Sequence, residues 1–236
     1  MWLGLDLGNS RLKAAHLSPH TSPLVQGEYP LSRPLPKELI TGVEGVLVCS
    51  TRSEGTTAAL LGGLRGRVVR VGDILTEESV GVENYGTPSF GEDRRLHYLG
   101  LRKRWSSGSI GVISAGTVWT LSVWNGEDRF VGGALFPGQA LVLRGLGGIG
   151  KLPHLTHLGD SIGRGMTSSE GIRLGVREGM LGALSQLVER CEEGVSDSIQ
   201  WVVTGGEADS IPRRTQWVYD SDLLWMGMTP LLEEME

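Results

Sequence analysis

A strand–turn–strand opening occurs twice in this chain, at Met1–Leu17 and again from Gly111 to Trp124. In the first copy Trp2, Leu3, Leu5 and Leu7 form an apolar run with no charge before Asp6, and the run stops at the turn pair Gly8-Asn9. A run bounded in this way reads as a buried strand, and Arg11 to Leu17 alternates back as its hairpin partner. In the second copy Ile113-Ser114-Ala115-Gly116-Thr117 repeats the pattern of Leu5-Asp6-Leu7-Gly8-Asn9, and Val118 to Trp124 returns as a strand. The recurrence predicts a duplicated domain.

The rest of the chain alternates strand and helix, which predicts an α/β sheet. His16 to Pro36, rich in Pro and Ser, reads as a connection with one further strand; Val46 to Ser50 is a compact buried strand. Thr56 to Leu64 is a short helix closed by glycines, and Arg67 to Val71 another strand. Gly86, Pro88 and Gly91 make Asn84–Gly91 a loop, and a helix from Glu92 to Trp105 carries Leu96, Leu99 and Leu101 inward. Arg129 to Ala134 reads as a strand, Gly132 to Gly138 as a turn, and Gln139 to Leu146 as an apolar helix. Thr167-Ser168-Ser169-Glu170 is a capping box that starts a long helix running to Arg190. Trp201 to Thr204 ends in paired glycines, Asp222 to Met226 reads as a last short strand, and the acidic tail after Pro230 as frayed. The expected domains are residues 1–105 and 106–236.

Composition narrows the classes. With 39% hydrophobic and 21% charged residues the chain is globular, and its net charge of -5 offers no basic footprint for nucleic acid. No apolar run reaches the ~18 residues of a membrane span. The two cysteines cannot form a disulfide framework, and no secretory leader is visible, so a cytoplasmic location is expected.

Several chemistries can be set aside. Gly145 to Lys151 copies most of a P-loop, but Leu152 replaces the magnesium-binding hydroxyl and Pro153 follows where a helix should continue. His154 and His157 have no third ligand at zinc spacing, and no G-x-S-x-G elbow exists. The opening hairpin instead suits phosphates: a glycine that admits close backbone approach, Asn9 and Ser10 as neutral donors, Lys13 as a point charge, and Asp6 as a hard oxygen ligand for magnesium. Phosphoryl transfer needs such a cradle, plus a carboxylate for the acceptor's proton and a cation for an anionic acceptor. Asp93 and Arg94 offer these, although Asp is favoured in a first helical turn whatever its function.

In this order the motifs resemble type III pantothenate kinase, a family of the acetate and sugar kinase and actin superfamily. Asp6-Leu7-Gly8-Asn9-Ser10-Arg11-Leu12-Lys13 is similar to its first phosphate motif, and Tyr85 with Gly91-Glu92-Asp93-Arg94 to its pantothenate segment. Gly132-Gly133, Pro137-Gly138, Gly163-Arg164, Thr167, Thr204-Gly205-Gly206 and Asp222 to Met228 follow in family order. The resemblance implies two ribonuclease-H-like lobes around a central cleft, a homodimer through the Gly165–Val188 region, and ATP-dependent phosphorylation of pantothenate, the first step towards coenzyme A. It implies that Asp6, Leu7, Gly8, Asn9, Ser10, Arg11, Leu12 and Lys13 bind ATP phosphates and Mg2+, and that Thr117 contacts the nucleotide. Tyr85, Gly91, Glu92, Asp93, Arg94 and Thr167 would surround pantothenate, with Asp93 as general base. Where the family's second phosphate motif has an aspartate for a monovalent cation (K+ or NH4+), this chain has Ser114, and Trp119 stands where a small residue is usual. The family also includes a transcription accessory factor type (Bvg accessory factor), so a non-catalytic regulatory protein is the alternative implied.

Overall fold

The computed structural model describes residues 1–8, 10–52, 66–86, 89–160 and 163–235. Asn9, Pro88 and the predicted helix at 56–64 therefore lie outside the described residues. The chain divides into two compact units: Met1–Ser107 with Gly126–Phe130 and Asp222–Glu236, and Gly108–Asn125 with Val131–Ser221.

In the first unit β1 (Trp2–Leu7), β2 (Leu12–Leu17), β3 (Leu24–Tyr29), β4 (Gly45–Ser50) and β5 (Arg67–Arg70) form one sheet in the order β3-β2-β1-β4-β5. In the second, β6 (Ile110–Ala115), β7 (Val118–Trp124), β8 (Phe130–Pro137), β9 (Gln200–Thr204) and β10 (Trp217–Tyr219) form another in the order β8-β7-β6-β9-β10. Within each, the first strand pairs antiparallel with its hairpin partner and parallel with the fourth strand. The two sheets thus share one topology, with β6 to β10 as counterparts of β1 to β5. This is the expected ribonuclease-H-like duplication. It also makes Asp6 and Ser114 counterparts, since each is the next-to-last residue of its central strand.

Period-two side-chain alternation assigns the faces. Leu3, Leu5 and Leu7 of β1 join Leu12, Ala14, Val46 and Val48 in one core cluster. The opposite face carries Trp2, Gly4 and Asp6, and a Cβ at Gly4 would stand 2.7 Å from Leu17 and 3.0 Å from the Met228 sulfur. Between β3 and β4 comes the one-turn helix α1 (Lys37–Ile40), and after β5 the one-turn α2 (Val71–Ile74). Leu96 and Leu101 of α3 (Glu92–Arg104) are fully buried, whereas Leu99 is half-buried.

The segment expected as a final strand is a helix, α6 (Leu223–Glu233). Its apolar run resembles a strand, but glycine spacing lets it pack on α3. A Cβ at Gly227 would overlap the Leu96 carbonyl, and one at Gly100 the Leu223 carbonyl, so each helix lends a glycine to the crossing. The tail after Pro230 is not frayed either, since Leu231 and Leu232 are buried. Pro230 has no N–H for the Met226 carbonyl four residues back, and the Thr229 hydroxyl donates to that carbonyl instead at 2.9 Å. Lys103 in turn donates to Thr229 at 2.6 Å.

In the second unit the helices are α4 (Gln139–Gly147) and α5 (Ser168–Glu192). The predicted turn at Gly132–Gly138 is mostly strand: β8 runs on to Pro137, because Gly133, lacking a Cβ, admits the Leu121 carbonyl of β7. Val176, Met180, Leu184 and Val188 form the buried stripe of α5 over Ile113, Leu121 and Trp201. Thr167 and Glu170 make the predicted reciprocal capping box. Cys49 and Cys191 are both unpaired thiols. Among the described residues no helix is long and apolar enough to cross a membrane.

Candidate active site

The register of the first sheet lines up a row of chemically active side chains. Asp6 faces Lys13 on β2 and Cys49 on β4, and Lys13 faces Glu28 on β3. Because partners in register share a face, Glu28, Lys13, Asp6 and Cys49 form one line, near the carboxyl ends of the parallel strands β1 and β4. Burial pushes the Asp6 carboxyl up to about 7; the Asp93 charge adds to this, Lys13 opposes it and Glu28 adds a smaller push. The Cys49 thiol is raised well above its ordinary value by burial, then by the Asp6 and Asp93 charges. Lys13 is shared with Glu28, whose second oxygen holds Arg11: the separations are 3.5 and 3.1 Å.

The turn between β1 and β2 differs from a simple phosphate cradle. The Gly8 N–H donates to the Arg11 carbonyl at 3.1 Å, so it is used within the turn. Leu7 and Leu12 point into the core cluster and can meet a ligand only through their backbone. Ser10 and Arg11 are exposed.

Asp93 stands in the first turn of α3, with Gly91 at the N-cap. A Cβ on Gly91 would lie 2.6 Å from the Asp93 carboxylate, so glycine makes room for that carboxylate to fold back over the helix start. Glu92, expected beside the substrate, is held elsewhere: it accepts the Ser50 N–H at 2.9 Å and packs against Gly72. Alternate first-turn residues point to different sides of a helix, and Glu92 is the one that ties α3 to the end of β4. Arg94 is buried, and its Nη1 donates to the Tyr85 hydroxyl at 2.8 Å. Tyr85, Asp93, Arg94, Asp6 and Lys13 thus all belong to the first unit.

Ser114, Thr117 and Thr167 belong to the second. Ser114 faces Thr120 on β7 and Thr204 on β9, a line of three hydroxyls where the first sheet has Lys13, Asp6 and Cys49. The Thr120 hydroxyl is buried and has no hydrogen-bond partner among the described residues. Trp119, which stands where a small residue is usual, faces the core, where its indole donates to Glu207 at 2.6 Å and its ring meets Phe136 at 5.4 Å. The same Glu207 oxygen accepts the Gln139 N–H at the start of α4 at 3.0 Å. The Thr117 carbonyl accepts the Gly138 N–H at 3.0 Å, and a Cβ on Gly138 would collide with the Gly116 and Thr117 carbonyls. The P-loop look-alike Gly145–Lys151 is the end of α4 and the turn after it.

Sequence reasoning passed over four participants. Cys49 and Glu28 enter the row only through strand register, which the sequence does not state. His97 lies one helical turn beyond Asp93, on the same side of α3. Its imidazole is buried, its Nδ1 has no partner among the described residues, and burial holds its pKa down at about 4 despite the nearby Asp93 charge. The spacing of His97 from Asp93 was a readable signal. Phe130, which meets Arg94 from a distant stretch of chain, offered none.

The family model for type III pantothenate kinase matches residues 2–190. A type III pantothenate kinase from Synechocystis sp. is 30% identical over 248 residues, covering 98% of this chain and 90% of the relative. Among solved structures, a conserved protein from Campylobacter jejuni named for the Baf family of transcriptional activators aligns with a TM-score of 0.64 at 16% identity, over 99% of this chain and 98% of that one. The activator of 2-hydroxyisocaproyl-CoA dehydratase from Clostridium difficile aligns with a TM-score of 0.53 at 12% identity, over 99% and 97%. At such identities these structures speak for the fold alone, a duplicated two-sheet α/β architecture. The family match and the curated relative reach further: this chain belongs to the type III pantothenate kinase family.

Proposed function

We propose that this protein transfers the γ-phosphoryl group of ATP to the primary hydroxyl of pantothenate, the entry step to coenzyme A. The observation that carries the reading is the electrostatic coupling of two carboxylates from separate elements: the Asp93 charge adds to burial in raising the Asp6 carboxyl, and Lys13 faces Asp6 across the β1–β2 pairing. A folding core has no use for such an arrangement, since like charges held together destabilise it. A phosphoryl-transfer site does. A purely regulatory protein would have no physical reason to keep Asp6, Lys13, Asp93 and Arg94 together.

The roles are assigned from the chemistry of each side chain and from the family's motif order. Asp93, folded over Gly91, takes the proton of the acceptor hydroxyl as its oxygen attacks the γ-phosphorus; the bond to the bridging oxygen breaks and ADP leaves. Lys13 supplies positive charge for the phosphates. Arg94, a planar fork of donors, pairs with the acceptor's carboxylate. Tyr85 steadies Arg94. The family motifs add, as part of the same proposal, a nucleotide role for Thr117 and an acceptor role for Thr167.

Magnesium fits the residues of the row. A carboxyl that burial and a neighbouring carboxylate keep protonated up to about pH 7 regains its charge when a divalent cation is offered. Asp6 would hold the ion, which when bound neutralises charge on the phosphate oxygens. A single protein carboxylate is enough for magnesium, which keeps waters and phosphate ligands. The line Ser114, Thr120 and Thr204 does not fit a charged-ligand site for a monovalent cation, because none of the three carries a negative charge, and no step is assigned to one.

An apolar groove of about 560 Å³ beside α5, lined by Val142, Leu146, Ile172 and Met180, lies next to the open glycine positions Gly171, Gly175 and Gly179. It supports a homodimer through this helix. A cytoplasmic location and a small-molecule acceptor belong to the same proposal.

ADP release by purified protein with ATP, magnesium and pantothenate tests the proposal. Pantothenate-dependent turnover should fall by about 10²- to 10⁴-fold in Asp93→Asn, with ATP binding retained. Folded protein that binds ATP yet shows no pantothenate-dependent turnover would overturn it.

A further inference from the structure

Arg94 sits among three aromatic rings. Its guanidinium carbon lies 3.9 Å from the centroid of Phe90, 5.4 Å from that of Tyr85 and 5.5 Å from that of Phe130. The rings also meet one another edge to face, with centroids 5.0 Å apart for Tyr85 and Phe90, 4.9 Å for Phe90 and Phe130, and 5.9 Å for Tyr85 and Phe130. All four residues belong to the first unit, yet Phe130 reaches it from a separate stretch of chain, Gly126–Phe130.

That stretch is anchored. The Phe130 N–H donates to the Gly81 carbonyl at 2.9 Å, and Arg102 pairs with Asp128. Gly81 has a φ of +68°, and a Cβ there would overlap the Asp128 carbonyl, so only glycine admits the segment. Among the described residues, Asn84 and Asp128 are the non-glycine residues with positive φ, at 54° and 62°. One directly precedes Tyr85 and the other stands two residues before Phe130. Left-handed turns are uncommon outside glycine, and here they deliver both half-exposed rings to one guanidinium. Phe90 is fully buried, and its N–H donates to Glu77 at 2.7 Å, which fixes the third.

We propose that Phe130 is a positioning residue of the acceptor site: with Phe90 and Tyr85 it clamps the Arg94 guanidinium in the orientation that receives the carboxylate of the acceptor. The clamp rests on the reading of this protein as a kinase of a carboxylate-bearing alcohol. A guanidinium on a four-bond stem is mobile unless its faces are covered, and here the rings of Phe90, Tyr85 and Phe130 cover it, their quadrupoles holding the cation in one orientation.

The test compares two acceptors, pantothenate and the analogue whose carboxylate is replaced by a neutral primary alcohol. Phe130→Leu should raise KM for pantothenate about five- to tenfold, the factor that one lost cation–π contact represents, with kcat and the KM for ATP little changed. KM for the neutral analogue should stay the same, and Phe130→Tyr, which restores a ring, should recover the wild-type KM. Equal rises for both acceptors would mean a merely structural role and would overturn the proposal, as would no rise for either. Phe130→Met repeats the comparison if the leucine variant is unstable. Should the wild type turn over neither acceptor, the kinase reading fails, and the clamp is read separately by phenylglyoxal labelling mapped by mass spectrometry. Arg94 should then react faster in Phe130→Leu than in wild type and Phe130→Tyr; equal rates would refute the clamp.

Discussion

Replacing Asp6 by Asn should stabilise the protein, and by an amount that depends on pH. Burial and Asp93 together raise the Asp6 carboxyl from its ordinary 3.8 to about 7. With a folded pKa above the unfolded one, the native state is favoured in full below about pH 4 and loses that advantage as pH rises towards 7. Above 7 the carboxylate is charged in both states and the loss is constant. The shift corresponds to about 2–4 kcal/mol, the lower end allowing for water at a carboxyl that is only partly covered. Urea denaturation of wild type and Asp6→Asn from pH 4 to 8, without nucleotide or metal, isolates the effect. His97 makes the difference measurement necessary, because its depressed pKa of about 4 gives the opposite slope: stability present above about pH 6.5 is lost as pH falls towards 4. That slope is common to both proteins and cancels. The stability difference should grow by about 2–4 kcal/mol between pH 4 and 7 and then level off. Magnesium with ATP at pH 8 should stabilise wild type and leave Asp6→Asn almost unaffected. A difference that is flat with pH would refute the claim that the row holds Asp6 in a strained ionisation state.

Three further substitutions test the packing and the second phosphate turn. Gly227→Ala should destabilise the first unit by about 1–3 kcal/mol, because the added methyl meets the Leu96 carbonyl across the α3–α6 crossing. Gly182→Ala, on an open face of α5, should be neutral or gain up to about 1 kcal/mol from helix propensity; chemical denaturation of the pair distinguishes a packing effect from a general intolerance of alanine. For the cation, turnover of wild type in potassium and sodium should differ by less than about twofold, since Ser114, Thr120 and Thr204 supply no charge. Ser114→Asp should introduce potassium dependence, and a strong potassium requirement in the wild type would contradict this reading of the hydroxyl line.

Much of the site is legible in the chain itself. The Gly91 to Arg94 run, read as a helix start, carries its own reason, because the glycine is what lets the Asp93 carboxylate fold back. Glu92 shows the limit of a contiguous motif. It lies between two site residues in sequence, and the helix turns its side chain to Ser50 at the end of β4. Thr167 shows another limit, for its capping of α5 is visible in sequence and formed in the structure, and by itself says nothing about a ligand.

What the amino-acid sequence determined by itself was local: the two strand–turn–strand openings, the capped start of α5, the glycine before Asp93, and through them the duplicated fold and the family. These rest on period, turn chemistry and capping, which act over a few neighbouring residues. Tertiary structure decided the rest. It made Leu223–Glu233 a helix, since an apolar run of that length suits either element until Gly227 and Gly100 fit against the facing carbonyls. It placed Cys49 beside Asp6 through the register of β1 and β4. It brought Phe130 to Arg94 through the anchor at Gly81. Contacts of that kind depend on the distance between elements after packing, and no local pattern in the chain encodes it.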